Sequence, residues 1–164
     1  MRRTWITAGA LTTTTAIALG AAGAGSGIAA KPRTSQISCG LELIAQGPLQ
    51  GTPPTGVSFG HVTCSSPFGK GVHYDSATVT PTSPGSGSIA VRFKNYYNAG
   101  TTSGTVAGTF SSTSPTDITY TGTVTYTRGT GRFKRVRGGG TISCTTTDGG
   151  AHKACTVHSK VTGV

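Results

Sequence analysis

From Ile118 to Thr127 the chain reads ITYTGTVTYT, with Ile118, Tyr120, Val124 and Tyr126 on one parity and threonine at every position of the other. Side chains of a strand point alternately to its two faces, so this pattern specifies one buried and one wetted face and does not suit a helix. No long stretch has apolar residues at helical spacing, and no leucine follows Leu49. Thr, Ser and Gly dominate instead, which is the composition of β-strands and tight turns.

The same alternation, bounded by Gly, Pro, Ser and Asn clusters, predicts eight strands near 36–46, 57–65, 72–80, 88–97, 103–111, 117–127, 140–147 and 152–162. Between them lie turn-rich segments: Gln46 to Gly56 with Pro53-Pro54, Pro81 to Gly87, Asn98-Ala99-Gly100, Ser111 to Thr116, and a basic loop after Thr127. Short antiparallel strands with no helix to cover them must close on themselves or stack. The expectation is all-β, an eight-stranded antiparallel barrel, with a two-sheet sandwich as the alternative.

The 164-residue chain opens with Arg2 and Arg3, followed by an apolar and small-residue run and small-residue cleavage sites at Ala22-Gly23-Ala24 and Ile28-Ala29-Ala30. This reads as a secretory signal peptide over residues 1–30. Arg2-Arg3-Thr4-Trp5-Ile6 is also similar to the start of a twin-arginine signal, so the export route stays open. Residues 31–164 are then expected to be one exported barrel domain with no transmembrane segment, secreted outside the cell. Taking Arg2 and Arg3 from the 14 cations leaves 12 against 4 acids (Glu42, Asp75, Asp117, Asp148), a net charge of +8. Such a balance attracts polyanions without choosing among them.

Four cysteines in an exported chain imply two disulfides. Folding the chain about Asp148-Gly149-Gly150-Ala151 places Cys144 opposite Cys155 and Ile142 opposite Val157 on the same face. A matching fold of the first hairpin sets Cys39 opposite Cys64, Leu41 opposite Val62, Glu42 opposite His61 and Ile44 opposite Phe59. The expected bridges are therefore Cys39–Cys64 and Cys144–Cys155.

The segment RGTGRFKRVRGGGT, Arg128 to Thr141, carries five cations and no acid. It lacks the third glycine and following helix of a phosphate-binding loop. As a plain strand it would put Arg135 and Arg137 on the face of Phe133. One helical or 3-10 turn instead turns Phe133 and Val136, three apart, to one side and the cations to solvent. The order Gly129-Thr130-Gly131-Arg132-Phe133, three residues, Arg137-Gly138 resembles a motif in the last third of plant dirigent proteins and allene oxide cyclase-like barrels, a calycin-like architecture also found in exported bacterial proteins. That resemblance implies a segment joining late strands of an eight-stranded barrel, with Gly129, Gly131, Phe133, Val136 and Gly138 as its structural positions. This chain departs from the family pattern at Val136, where a small residue is usual, and at the more basic Arg135. No catalytic residue carries over from the resemblance.

The expected role is noncatalytic binding of a small, partly apolar molecule inside the barrel, lined by Phe93, Tyr120, Val124 and Tyr126. Two alternatives are kept: an isomerase or coupling-guide activity as the resemblance implies, and envelope polyanion binding by Arg128, Arg132, Lys134, Arg135 and Arg137. Specific nucleic-acid recognition is not expected, because a buried Phe133 leaves no stacking aromatic. No cofactor or metal is expected: there is no C-x-x-C, His152 and His158 lie six apart on a strand, and His73 reads as isolated. Tyr74, Asp75, Arg92, Tyr96, Tyr97, Tyr120 and Tyr126 would suit a polar barrel mouth, but the plainer reading makes the tyrosines strand core and Asp75 a turn or surface residue. Gly56-Val57-Ser58-Phe59-Gly60 matches the nucleophile-elbow pattern without the α/β sheet that the elbow requires.

Overall fold

The computed structural model describes residues 33–164; the expected signal peptide over 1–30 lies outside them. Eight strands follow in order: β1 (Thr34–Ala45), β2 (Thr55–Cys64), β3 (Lys70–Ser83), β4 (Ser86–Tyr97), β5 (Gly100–Ser112), β6 (Ile118–Gly129), β7 (Arg137–Thr146) and β8 (His152–Thr162). Each pairs antiparallel with its sequence neighbours, and β1 pairs with β8, so the sheet closes into a barrel and the sandwich alternative falls away. Closure leaves no strand edge with unpaired backbone groups.

The disulfides Cys39–Cys64 and Cys144–Cys155 join directly opposed residues of adjacent strands. Ile142 faces Val157, Leu41 faces Val62 and Ile44 faces Phe59. Glu42 and His61 also stand opposite each other, but they form no ion pair within 4.0 Å among the described residues.

The two ends of the barrel differ. At the end where β6 leaves and β7 begins, a 3-10 turn over Gly131–Phe133 sends Phe133 and Val136 inward, both fully buried, while Arg128, Arg132, Lys134, Arg135 and Arg137 remain exposed. Gly131 sits at φ +57°, and a Cβ there would run into the Ala99 carbonyl, so the tight approach to the β4–β5 turn requires glycine. Phe133 packs edge-on against Phe68 at 5.0 Å and Tyr97 at 5.8 Å, and Phe68 stacks on Tyr97 at 5.3 Å. This aromatic plug closes one end. Above it, the Phe93 ring lies over Gly104, where a Cβ would come within 2.8 Å of Phe93 Cζ.

The exterior is less uniformly polar than its threonines suggest. Register places Ile44, Phe59 and Tyr74 side by side across β1–β3, with Val72 and Tyr96 adjacent, and all five are about half exposed. The expectation that Tyr74 and Tyr96 belong to the core is thereby corrected. Their parity is set by pairing with Phe59 and with Val72, which face out.

Truncating the plug should show its weight. Phe133→Ala is expected to lower the unfolding free energy by about 3–5 kcal/mol, whereas Arg135→Ala should stay within about 0.5 kcal/mol of the parent. Urea denaturation followed by circular dichroism measures both, and equal effects would mean that the plug does not carry the closed end.

Candidate functional site: an open mouth above a polar throat

The end opposite the plug is open. Here β2, β4, β6 and β8 begin and β1, β3, β5 and β7 finish, and their inward side chains surround a cavity of about 580 Å³. Val57, Val79, Ile89, Phe110, Ile118 and Tyr120 form much of its wall, and Leu49 from the β1–β2 loop leans over Gly56 at the rim. Such a concave, mostly apolar space with a few polar groups is the usual form of a small-molecule site.

Below the mouth the lumen narrows to a throat of about 70 Å³, reached past Ala77, Ile89, Tyr120 and Lys153, which line both spaces. Its polar side comes from His73 and Asp75 on β3 and Lys153 on β8, and Asn95 of β4 borders the void beneath. His73 Nε2 lies 3.0 Å from Asp75 Oδ2, and His73 Nδ1 lies 2.7 Å from Asn95 Oδ1. The Asn95 amide donates to Thr102 Oγ1 at 3.3 Å, which turns its carbonyl oxygen to the imidazole. Both ring nitrogens of His73 therefore face an oxygen, which fixes the imidazole between β3 and β4. His73, Asp75 and Asn95 are all buried, and among the described residues Asp75 Oδ1 has no hydrogen-bond partner.

Lys153 enters from β8, on the same inward parity as Cys155 and Val157. Its Nζ donates to the buried Ser58 Oγ at 2.6 Å, and among the described residues no carboxylate oxygen lies within 4.0 Å of it. Burial disfavours the ammonium and pulls the Lys153 pKa below the ordinary lysine value, while the charge of Asp75 partly opposes this. At the rim, Asp148 accepts from the His152 backbone at 2.9 Å and from its ring at 2.6 Å. The hydrogen bonds from His152, backbone first, together with that from Thr146, hold the Asp148 carboxyl well below the usual carboxylate range and brace the β7–β8 turn.

The residues expected to line a ligand do not all reach the mouth. Tyr120 does, and burial raises its hydroxyl pKa. Phe93 lines the throat, while Val124 and Tyr126 border only a void of about 30 Å³ beneath it. Phe93 stacks on His73 at 6.0 Å and meets Tyr126 edge-on at 5.6 Å. Desolvation raises the hydroxyl pKa of Tyr126, and raises that of Tyr97 well beyond the usual tyrosine range.

Asp75 and His73 correct two expectations: neither is peripheral, and His73 is not isolated. Lys153 was not anticipated at all. The signal for it was parity, since a residue two before Cys155 must share the inward face. Arg92 is exposed and takes no part. Among the described residues no group of three or more His, Cys, Asp or Glu could hold a metal, and no helix is long and apolar enough to cross a membrane.

Fold and site together define a disulfide-stapled antiparallel barrel with one plugged end and one open, largely apolar mouth. No family model matches the chain, and no curated protein does. Among solved structures, a pyocyanin demethylase is similar at 12% identity and a TM-score of 0.41, over 77% of this chain and 99% of that one.

Lys153 should titrate below 10.5, its ordinary value. Competitive acylation across pH, read at the Lys153 peptide, is expected to place its midpoint below that value, and a midpoint at or above it would contradict the buried position. The sign of its effect on stability follows. Between the lowered and the ordinary value the unfolded chain binds the extra proton, so the Lys153 contribution to stability rises with pH through that window.

Proposed function

We propose that this chain is a binding protein for a small, partly apolar molecule, which enters the open mouth and sets one polar group against Lys153 and Ser58. The observation that carries the reading is the continuity of the 580 Å³ apolar-walled mouth with a throat that holds the polar residues of the lumen. Burying apolar ligand surface stabilises the complex by roughly 25 cal/mol per Å² before the costs of association, and one directed polar contact supplies orientation. Two disulfides and a closed sheet provide a rigid, pre-formed cavity, which limits the ordering cost of binding. Working outside the cell fits the paired cysteines. Kinship with dirigent and allene oxide cyclase-like barrels, suggested by the segment from Gly129 to Gly138, is part of the same proposal.

A second reading, isomerase or coupling-guide activity, is favoured by one specific observation. His73, Asp75 and Lys153 converge in the throat, and buried ionisable groups at the floor of a cavity are the common setting for proton transfer. The exposed cations around Arg135 sit on the plug at the far end, and a polyanion held there would leave the mouth free.

Narrowing the throat tests the primary reading. Ile89→Trp is expected to reduce the affinity of a naphthalene-type fluorescent probe by about tenfold or more through loss of fit, while the double variant Arg132→Glu/Arg135→Glu leaves it unchanged. If the probe binds the Ile89 variant as tightly as the parent, the mouth is not the site.

A further inference from the structure

Lys153 is a primary amine half-sunk in an apolar wall, and its setting is unlike that of the other lysines in the barrel. Lys70, Lys94, Lys134 and Lys160 are exposed. Lys153 borders both the mouth and the throat, so a molecule seated in the mouth meets it directly. Among the described residues its nitrogen makes one hydrogen bond, to the neutral Ser58 hydroxyl at 2.6 Å, and Ser58 is itself buried. Although Ser58 stands directly opposite Asp75, no carboxylate oxygen among the described residues lies within 4.0 Å of the Lys153 nitrogen, so it is not held as half of an ion pair.

We propose that Lys153 forms a reversible imine with the carbonyl group of an apolar aldehyde or ketone bound in the mouth. The inference deepens the binding reading above and rests on it. The amine nitrogen adds to the carbonyl carbon, and the carbonyl π pair takes up a proton to give a carbinolamine. The nitrogen then loses its protons as the hydroxyl, gaining one, departs as water, and the C=N bond forms. Protons lost and gained balance, so the sequence needs no oxidant, reductant or further reagent. The chain supplies three conditions for it. Apolar walls hold the carbonyl compound against the nitrogen and raise its effective concentration. Desolvation keeps a larger share of Lys153 as the free amine that acts as nucleophile. The hydrogen bond to Ser58 restricts a side chain that would otherwise spend its time among many rotamers.

The charged groups facing this nitrogen are few. Asp75 and His73 on β3 line the same throat, Asp75 directly opposite the Ser58 that Lys153 contacts, while Tyr120 on β6 and Asp148 line the mouth.

The test uses the native protein with 2-naphthaldehyde and cyanoborohydride at neutral pH, followed by peptide mass spectrometry. Reduction traps any imine as a stable secondary amine. In parallel, the fluorescence of 2-methoxynaphthalene, which has the same rings and no carbonyl, reports binding in the mouth. The expected result is an adduct on Lys153 at about tenfold or greater excess over Lys70, Lys94, Lys134 or Lys160, which border neither the mouth nor the throat where the aldehyde is concentrated. Lys153→Arg keeps the reach while removing the primary amine and should abolish this adduct, whereas Lys94→Arg, an exposed position outside the mouth, should leave both the adduct and the binding of 2-methoxynaphthalene unchanged. Binding of 2-methoxynaphthalene with no adduct, or with label spread evenly over the lysines, would overturn the imine and leave the binding reading standing. If the ether does not bind and no selective adduct forms, both fall.

Discussion

A closed eight-stranded barrel encloses a column just wide enough for side chains to fill, and what that column contains decides what the molecule can do. Here it is filled from one end only. Phe68, Tyr97 and Phe133 with Val136 pack the lumen where the basic loop folds over it. At the other end small and medium residues such as Ala77, Val79 and Ile89 face inward and leave the mouth open. One loop therefore does two things: its apolar pair seals the barrel, and sealing one end makes the other the only wide entrance among the described residues.

The throat between these ends places polar chemistry where burial costs most. A buried carboxylate without partners is unfavourable by several kcal/mol. This barrel reduces the cost with a chain of hydrogen bonds from Asp75 through His73 and Asn95 to Thr102. Among the described residues the chain is incomplete at Asp75 Oδ1, and Lys153, outside the chain, hydrogen-bonds to the Ser58 hydroxyl alone. Apolar replacements of similar volume would pack the same space at less cost, so stability alone does not account for these residues.

The architecture was legible because alternation and cysteine spacing are local signals that antiparallel pairing leaves intact. The Asp148-Gly149 turn fixes the register of β7 and β8, and with it the Cys144–Cys155 bridge. The inward placement of Phe133 and Val136 could be read the same way, since only a turn brings residues three apart to one side. The site was less legible. On β3 the apolar parity, Val72 and Tyr74, faces out, and the polar parity, His73 and Asp75, faces in. Amphipathic reading alone inverts such a strand. Its true facing follows from β2, where Phe59 is held outside opposite Ile44 and Ser58 pairs with Asp75 on the inside. Parity propagates from strand to strand, so the disulfide face of β1 and β2 settles β3.

The sequence by itself determined that this chain is a threonine-striped, disulfide-stapled set of eight antiparallel strands, because period-two alternation and hairpin register are properties of neighbouring residues. Only the tertiary structure decided that the sheet closes, that one end is plugged while the other stays open, and that Ser58, His73, Asp75, Asn95 and Lys153 share one lumen. Those residues lie up to 95 positions apart, as Ser58 and Lys153 do. Their meeting depends on the shear and closure of the whole barrel, which no local pattern encodes.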